Sequence, residues 1–553
     1  MKNITPGAAN TQGGKPKFNF FRFMLWFTAL YAIAILWFWQ SEPADTTYSG
    51  PVPQERIADE RILVPFRAES LKGYFNTVGL RIDDAVLRTY FDAVGEDANN
   101  IRLLGFDEET SGDYVEVGFL PRGRDAGALP SHDTRWNVVR RSDENLALAW
   151  RNPEGAVFTR TFSVDEKYML TVTDRVENSG RVLLSFYPYA RIVRHNILER
   201  GGQPLSFSGF LSNRLETMSV RNITRRRVET FGSTGGWFGF SDNYFMTAVV
   251  IDNEGTSTIR VVDPAALDPT LVGRNRIQAD VVGPARFLEP GESVELVNRI
   301  FIGAKQNAAL VYYGNKYDIP RFDLAIDFGF FHVLAAPFAM TLRWLHGLTG
   351  NFGIAIIIFT VFMRLLMWPL TQKSIEVAER MRKLQPEMKR LQTLYSGDKM
   401  RQNMELAMLY KREKVNPAAG CLPLLLQLPV FIALYQALIM SIDMRHAPFM
   451  LWIVDLSAAD PTTIFNLFGL MPFTPWAWLP HLGILPLFMG WTMWYQMKLQ
   501  PASLSPEQAK IMRWMPAIFT LLFAGLPSGL VLYWTINNLL SIAQHKVTRK
   551  RMQ

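Results

Sequence analysis

Two periodicities divide the chain. From about Arg61 to Pro320, apolar and polar residues alternate with a period of two. Tyr168, Leu170, Val172 and Val176 fall on one strand face, and Met169, Thr171, Thr173 and Arg175 on the other. Phe158, Phe162 and Val164 alternate likewise, and Asp165-Glu166-Lys167 makes a turn between the two runs. Asn178-Ser179-Gly180 and Gly201-Gly202 punctuate the stretch further on. Many short strands with such turns predict a large antiparallel sandwich over 61–320, with no strong helical period inside it.

From Phe322 to His346 the period becomes helical. Phe331, Leu334, Phe338, Leu342 and Leu345 recur at steps of three and four. This predicts one amphipathic helix over 322–346, lying on a membrane surface or packed on the sandwich. Long apolar runs then follow at 352–370, 422–442, 482–495, 511–524 and 529–545, joining an earlier one at Phe23–Trp39. The expected fold class is therefore an α-helical polytopic membrane protein with six transmembrane helices, carrying an all-β outer domain. Residues 40–60 read as a linker. A cleaved signal peptide competes with the span at 23–39, but no clear small-x-small site follows Trp39.

Charge orients these runs. Lys15, Lys17 and Arg22 precede the first run, and Glu42 and Asp45 follow it, which predicts a cytoplasmic N-terminus over 1–22 and an outer sandwich. The segment 371–420 holds Lys373, Arg380, Arg382, Lys383, Lys389, Arg390, Lys399, Arg401, Lys411, Arg412 and Lys414, and is expected inside. The outer segment 443–480 carries only Arg445 among basic residues. The loop 496–510 and the short basic tail 546–553 are expected in the cytoplasm. The net charge of +8 thus belongs to inner loops, and no DNA partner is expected.

The inner segment has its own pattern. Met381, Leu384, Met388, Leu391 and Tyr395 follow helical spacing, Ser396-Gly397-Asp398 makes a turn, and Met400, Met404, Ala407 and Met408 follow on a second helix. An antiparallel cytoplasmic hairpin is predicted, with Pro386 kinking or restarting its first helix. Its exposed face is basic, which suits lipid headgroups, ribosomal RNA or plain solvent. Met489, Met493 and Met497 share a face of a later helix, as packing or as an adaptable contact surface.

Arg364 stands out within its apolar run, with no acidic residue within a helical turn. A cation at such a position costs roughly 2.5–3.5 kcal/mol on insertion scales. Two readings offset that cost. The side chain snorkels to the inner headgroups, roughly 8 Å of helix rise away. Alternatively it faces a wet cavity open to the cytoplasm, with Thr360 one turn back on the same side. Gln427 lies in another run, and Tyr533, Asn537 and Ser541 recur at four-residue steps in the last. These serve as helix–helix contacts or line the same groove.

Enzyme chemistry finds little support. The chain has no Walker loop, no GxSxG, no HExxH and no Cys/His cluster. The single cysteine, Cys421, excludes an intrachain disulfide. Gly232 to Gly236 is glycine-rich without a strand-to-helix setting, and His132 and His195 have no partner motif. No cofactor and no metal are expected. A small-solute transporter would need internal repeats, which are absent. A membrane-anchored sugar enzyme would need a histidine and carboxylate pair in the outer domain.

These residues resemble the YidC/Oxa/Alb family of membrane protein insertases. The resemblance rests on Asn351-Phe352-Gly353 through Arg364-Leu365-Leu366-Met367-Trp368-Pro369-Leu370-Thr371, and on Lys414 through Pro423. It extends to Ala447-Pro448-Phe449 with Trp452 and Asp455-Leu456-Ser457, and to Phe523 and Pro527 through Trp534. Phe75-Asn76-Thr77 and Arg81-Ile82-Asp83-Asp84 resemble the family's periplasmic domain. The resemblance implies a five-helix insertase core and a β-supersandwich periplasmic domain related to sugar mutarotases. It implies an inner-membrane insertase and chaperone for nascent integral membrane proteins, acting alone or with the Sec translocon. The ribosome and the signal recognition particle pathway are further implied partners. Arg364, Thr360, Gln427 and Asn537 would line the hydrophilic groove, and Phe431, Tyr533 and Trp534 would contact a passing transmembrane segment. Met381, Leu384, Met388 and Leu391 would build the hairpin. Two departures stand out: a longer outer stretch at 465–479, and a tail too short to extend toward a ribosome.

Overall fold

The computed structural model describes residues 62–95, 98–105, 112–123, 127–195, 205–264, 276–415, 422–469, 471, 482–499 and 506–552. The apolar run at 23–39, the linker, Gly201-Gly202, Cys421 and most of 465–479 lie outside them.

Two antiparallel sheets build the outer domain. The ten-stranded sheet runs β1 (Leu63–Arg67), β2 (Leu71–Asn76), β3 (Arg81–Phe91), β5 (Tyr114–Pro121), β10 (Leu184–Arg194), β17 (Ile277–Val282), β16 (Ser257–Val262), β13 (Val228–Ser233), with β4 (Asn100–Leu104) on β3 and β18 (Arg286–Leu288) on β10. The nine-stranded sheet runs β12 (Arg214–Ser219), β11 (Ser206–Leu211), β14 (Gly236–Ser241), β15 (Phe245–Ile251), β19 (Ser293–Ala304), β9 (Met169–Glu177), β8 (Val157–Val164), β7 (Asn145–Arg151), β6 (Asn137–Arg141). The period of two has its expected cause. Phe158, Phe162 and Val164 of β8 and Leu170, Val172 and Val176 of β9 are buried, while Thr159, Thr161, Ser163, Thr171 and Thr173 between them are half-exposed; Met169, placed on the other face by the alternation, is buried as well. The Asp165 carboxylate accepts from the Lys167 and Met169 backbone N–H groups at 3.1 and 2.9 Å and holds the turn between them.

Charge is also buried here, in matched form. Arg160 and Asp174 sit among those inward phenylalanines and valines, joined at 2.6 and 2.8 Å, and Arg160 donates a further bond to the Val117 carbonyl of the opposite sheet. In the ten-stranded sheet, Arg81 pairs in register with Glu116, Glu116 with Arg191, Arg191 with Asp280 and Asp280 with Arg260. Alternating charges thus cross five neighbouring strands, each side chain nearly sealed from solvent. Burial pushes the Glu116 carboxyl up, but Arg191 and Arg81 beside it outweigh burial and hold it at about 2.

Two helices interrupt the all-β expectation: α1 (Val220–Arg226) and α2 (Asn307–Lys316). Each is too short to show a helical period. α2 buries only Ala309, Leu310 and Tyr313. The Tyr313 hydroxyl donates to Asp165 and accepts from the Tyr168 N–H at 2.9 Å.

The amphipathic element starts later than predicted. Phe322–Ala325 and Gly329–Phe331 are separate 3-10 turns, and α3 covers His332–Thr349. Phe338, Leu342 and Leu345 are buried against later helices, not against the sandwich. Val333, Met340, Trp344 and Leu348 form an opposite stripe that is largely exposed. Gly350 ends the helix at φ 67°, a conformation glycine adopts without strain.

α4 runs Phe352–Leu366 and α5 runs Trp368–Leu394, bent by 66° at Met367. The apolar run at 352–370 is therefore not one straight element. Pro369 has no N–H to donate, so it suits the first turn of α5 and not the interior of a continuing helix. Asn351 caps α4 by accepting from the Ile354 N–H and donates to the Phe449 carbonyl at 3.0 Å. A Cβ at Gly353 would collide with the Phe449 ring, so this glycine admits the segment that carries Phe449. Then follow α6 (Lys399–Arg412), α7 (Leu422–Met440), α8 (Ile484–Leu499), α9 (Pro506–Phe523) and α10 (Ser528–Met552). α3 packs on α4 and α7, and α10 on α4 and α8. α9 begins before 511, and α10 runs on through the basic tail to Met552, so that tail is the end of a helix. Among the described residues no single helix is long and apolar enough to cross a membrane, although α4 and α5 together pass that measure as a bent pair.

α5 and α6 form an antiparallel pair. Met381, Met388, Leu409 and Val415 make its small core, with Leu384 and Leu391 packed against it. α5 continues through Pro386 without restarting. On the second helix Leu406, Leu409 and Tyr410 pack, whereas Met400, Met404 and Met408 point to solvent. The helix has two apolar stripes, and contact with α5 chooses between them.

Candidate functional site

Arg364 sits in the last turn of α4. Carbonyl groups at a helix C-terminus carry partial negative charge, so a cation there is favoured. Its Nη2 donates to the Ser541 hydroxyl of α10 at 2.6 Å, while its Nε has no hydrogen-bond partner among the described residues. Among the described residues no carboxylate reaches it. The guanidinium is half-buried. It is held by a neutral hydroxyl and keeps capacity for an anion.

Thr360 is buried one turn earlier, and its hydroxyl donates to the Ile356 carbonyl of its own helix at 2.6 Å. That hydroxyl is used locally, so Thr360 contributes packing. Gln427 of α7 donates to the Tyr533 hydroxyl of α10, and both side chains are buried. Asn537 is half-buried, while its neighbour Asn538 is buried and donates to Thr492 of α8 at 3.1 Å. Phe431 meets Trp534 edge to face at 5.1 Å, and Phe519 and Phe523 of α9 close this aromatic cluster. The Trp534 indole N–H is buried without a partner among the described residues.

The predicted polar stripe on the last helix continues past Ser541. Gln544 exchanges bonds with Thr371 at 3.0 Å and 3.2 Å, and Thr548 donates to Gln372 at 2.8 Å. His545 contacts the Leu499 carbonyl and lies 3.9 Å from Glu379. Extending the three-to-four step beyond the apolar run would have found these residues. They tie α10 to the start of α5.

The outer domain arranges its charge differently. Glu116, Asp174 and Asp280 are each engaged by arginine. His132 pairs with the adjacent Asp133, and the buried His195 donates its backbone N–H to Asp113 at 2.7 Å. Among the described residues no cluster of His, Cys, Asp and Glu could hold a metal.

The family described as 60Kd inner membrane protein matches residues 344–553, and the family described as YidC periplasmic domain matches residues 63–341. A relative from Beijerinckia indica subsp. indica, named membrane protein insertase YidC, is 38% identical over 529 residues, covering 92% of this chain and 86% of its own. One of the same name from Rickettsia conorii is 38% identical over 521 residues, covering 92% and 90%. Among solved structures, an active YidC insertase crystal structure with its first transmembrane domain resolved covers 89% of this chain and 93% of its own, at 18% identity and a TM-score of 0.39. A galactose mutarotase related enzyme from Lactobacillus acidophilus covers 44% of this chain at 11% identity and a TM-score of 0.34. The sequence matches span both halves of the chain and define an inner membrane protein with a periplasmic domain. The chain belongs to the YidC family of membrane protein insertases. Its function is to assist the insertion of membrane proteins into the lipid bilayer, a role that is not catalytic in the enzymatic sense.

Proposed function

We propose that the chain inserts its clients through a groove bounded by α4, α7 and α10, wet, open to the cytoplasm and to lipid, and closed outside. In this reading six spans cross the inner membrane, the first at 23–39, with both termini and the α5–α6 hairpin in the cytoplasm. The hydrophilic outer segment of a client enters the groove first. Arg364 attracts its acidic residues and lowers the cost of moving polar groups into the bilayer. At 4 Å and an effective dielectric of 20, one such pair is worth about 4 kcal/mol before desolvation. The client's apolar span then slides past Phe431, Tyr533 and Trp534 into lipid, and its partitioning drives the step without ATP. Gln427 and Asn537 line the path, while Met381, Leu384, Met388 and Leu391 stiffen the hairpin that receives the client. The Sec translocon, the ribosome and the signal recognition particle pathway are the partners this reading assigns.

The observation that carries it is an arginine at the end of an apolar helix whose only described side-chain partner is a hydroxyl. The test depletes the native protein and complements with wild type, Arg364→Ala or Arg364→Glu. Insertion of a single-span client with an acidic outer tail is then followed. Rescue by wild type and a loss of tenfold or more, about 1.4 kcal/mol, with either variant is expected. Equal rescue by Arg364→Glu would remove the electrostatic role.

A further inference from the structure

α6 has an apolar face that the hairpin does not use. Met400, Met404 and Met408 stand at four-residue steps and are 83%, 55% and 48% exposed. Ala407 lies between them, also exposed. The opposite side of the same helix is already occupied by Leu406, Leu409 and Tyr410 against α5. A contiguous exposed stripe of this kind marks a contact surface. We propose that this face of α6 lies on the anionic cytoplasmic leaflet, with the three thioethers at the level of the headgroups.

Charge selects the occupant. Lys399 and Arg401 rim one end of the stripe and Lys411 the other, while Arg412 is paired with Glu387 and Glu413; Glu405 is the only acid on the helix. Basic flanks beside an apolar stripe are the pattern of a helix resting on anionic lipid. A client's apolar span is a poorer match, because spans keep Lys and Arg at their cytoplasmic ends and those would meet like charge. Geometry agrees. α5 leaves α4 at 66°. Where α4 stands across the bilayer, a helix of about 40 Å at that angle rises only about 16 Å, so the hairpin lies low over the headgroups. Flexible unbranched thioethers adapt to a fluid surface better than branched side chains do.

The proposal rests on the reading that α4 crosses the membrane with the hairpin inside, and its test separates the two. Full-length protein carrying Cys421→Ser and a single Met404→Cys is labelled with an environment-sensitive fluorophore. It is reconstituted in vesicles whose lipids bear a quencher near the headgroup. Met400→Cys and Met408→Cys repeat the measurement, and Lys389→Cys, exposed on α5, is the reference. Strong quenching at all three stripe positions and weak quenching at 389 are expected in mixed phosphatidylcholine and phosphatidylglycerol. Each cation removed by Lys399→Gln, Arg401→Gln or Lys411→Gln weakens the contact about fivefold. In phosphatidylcholine alone the signal falls to the reference level. Equal quenching at the stripe and at 389 in both lipids overturns the proposal. So does protection of the stripe seen only when an apolar client helix is added. Labelling of Lys389→Cys by an impermeant maleimide from outside spheroplasts overturns the topology beneath it. Protection there with no lipid contact overturns the lipid contact alone.

Discussion

The two halves of this protein treat an arginine withdrawn from water, fully in one half and partly in the other, in opposite ways. In the periplasmic domain Arg160, Arg191 and Arg260 each meet a carboxylate at 2.6–2.8 Å, inside a register that alternates sign from strand to strand. In the helical half Arg364 meets, among the described side chains, only the Ser541 hydroxyl. A buried ion pair is self-satisfied and has nothing left for a ligand; removing one member exposes the cost of burying the other. A guanidinium against a neutral oxygen keeps its charge available. The first arrangement suits a scaffold and the second suits a site.

Several perturbations break or sharpen that contrast. The largest falls on the scaffold: Glu116→Gln leaves Arg81 and Arg191 without their shared carboxylate, and a loss of about 3–5 kcal/mol is expected in a denaturant melt of the periplasmic domain. The same carboxylate carries a pH signature. Its folded pKa of about 2 lies below the ordinary 4.5, so its stabilising effect is complete above pH 4.5 and is lost as pH falls through 2. That amounts to roughly 3 kcal/mol, and the acid slope of the melt should flatten in Glu116→Gln.

Next comes the contact between the halves. Arg445 donates to the Phe91 carbonyl at 2.7 Å and to the Asp92 carbonyl at 3.4 Å, and lies over Tyr244 and Phe245. Arg445→Ala should loosen this contact by about 2 kcal/mol, read as faster hydrogen exchange around Phe91 and Ile442. Ser541→Asp gives Arg364 the partner that the scaffold arginines have. Insertion of an acidic-tailed client should then fall about tenfold, as for Arg364→Ala. Ser541→Ala removes one hydrogen bond to a charged group, worth about 1.5–3 kcal/mol of stability, but leaves the Arg364 charge free, and a loss of less than tenfold is expected in the same assay. If Ser541→Asp inserts as well as wild type, the free charge of Arg364 is not what clients use.

Much of this was legible in the chain. Alternation located β8 and β9 because each side chain there answers mainly to its own strand. Apolar runs and flanking charge located the helical half, and the lone arginine was visible as a cation without a local partner. Asp174 interrupts an inward face that reads as apolar, and only the fold shows Arg160 beside it. Arg445 is the exception to the charge rule in the loop expected outside, and its described partner lies more than three hundred residues away.

The sequence by itself determined the two-part architecture and the family. Those follow from local composition, since solvent or lipid acts on each segment where it stands. The tertiary structure decided which polar groups are still free. It turned the Thr360 hydroxyl back on its own helix, joined Gln427 to Tyr533, left Arg364 with a hydroxyl, and chose which stripe of α6 packs. Hydrogen bonding and packing are pairwise, and a partner distant in sequence is chosen only when the chain has folded.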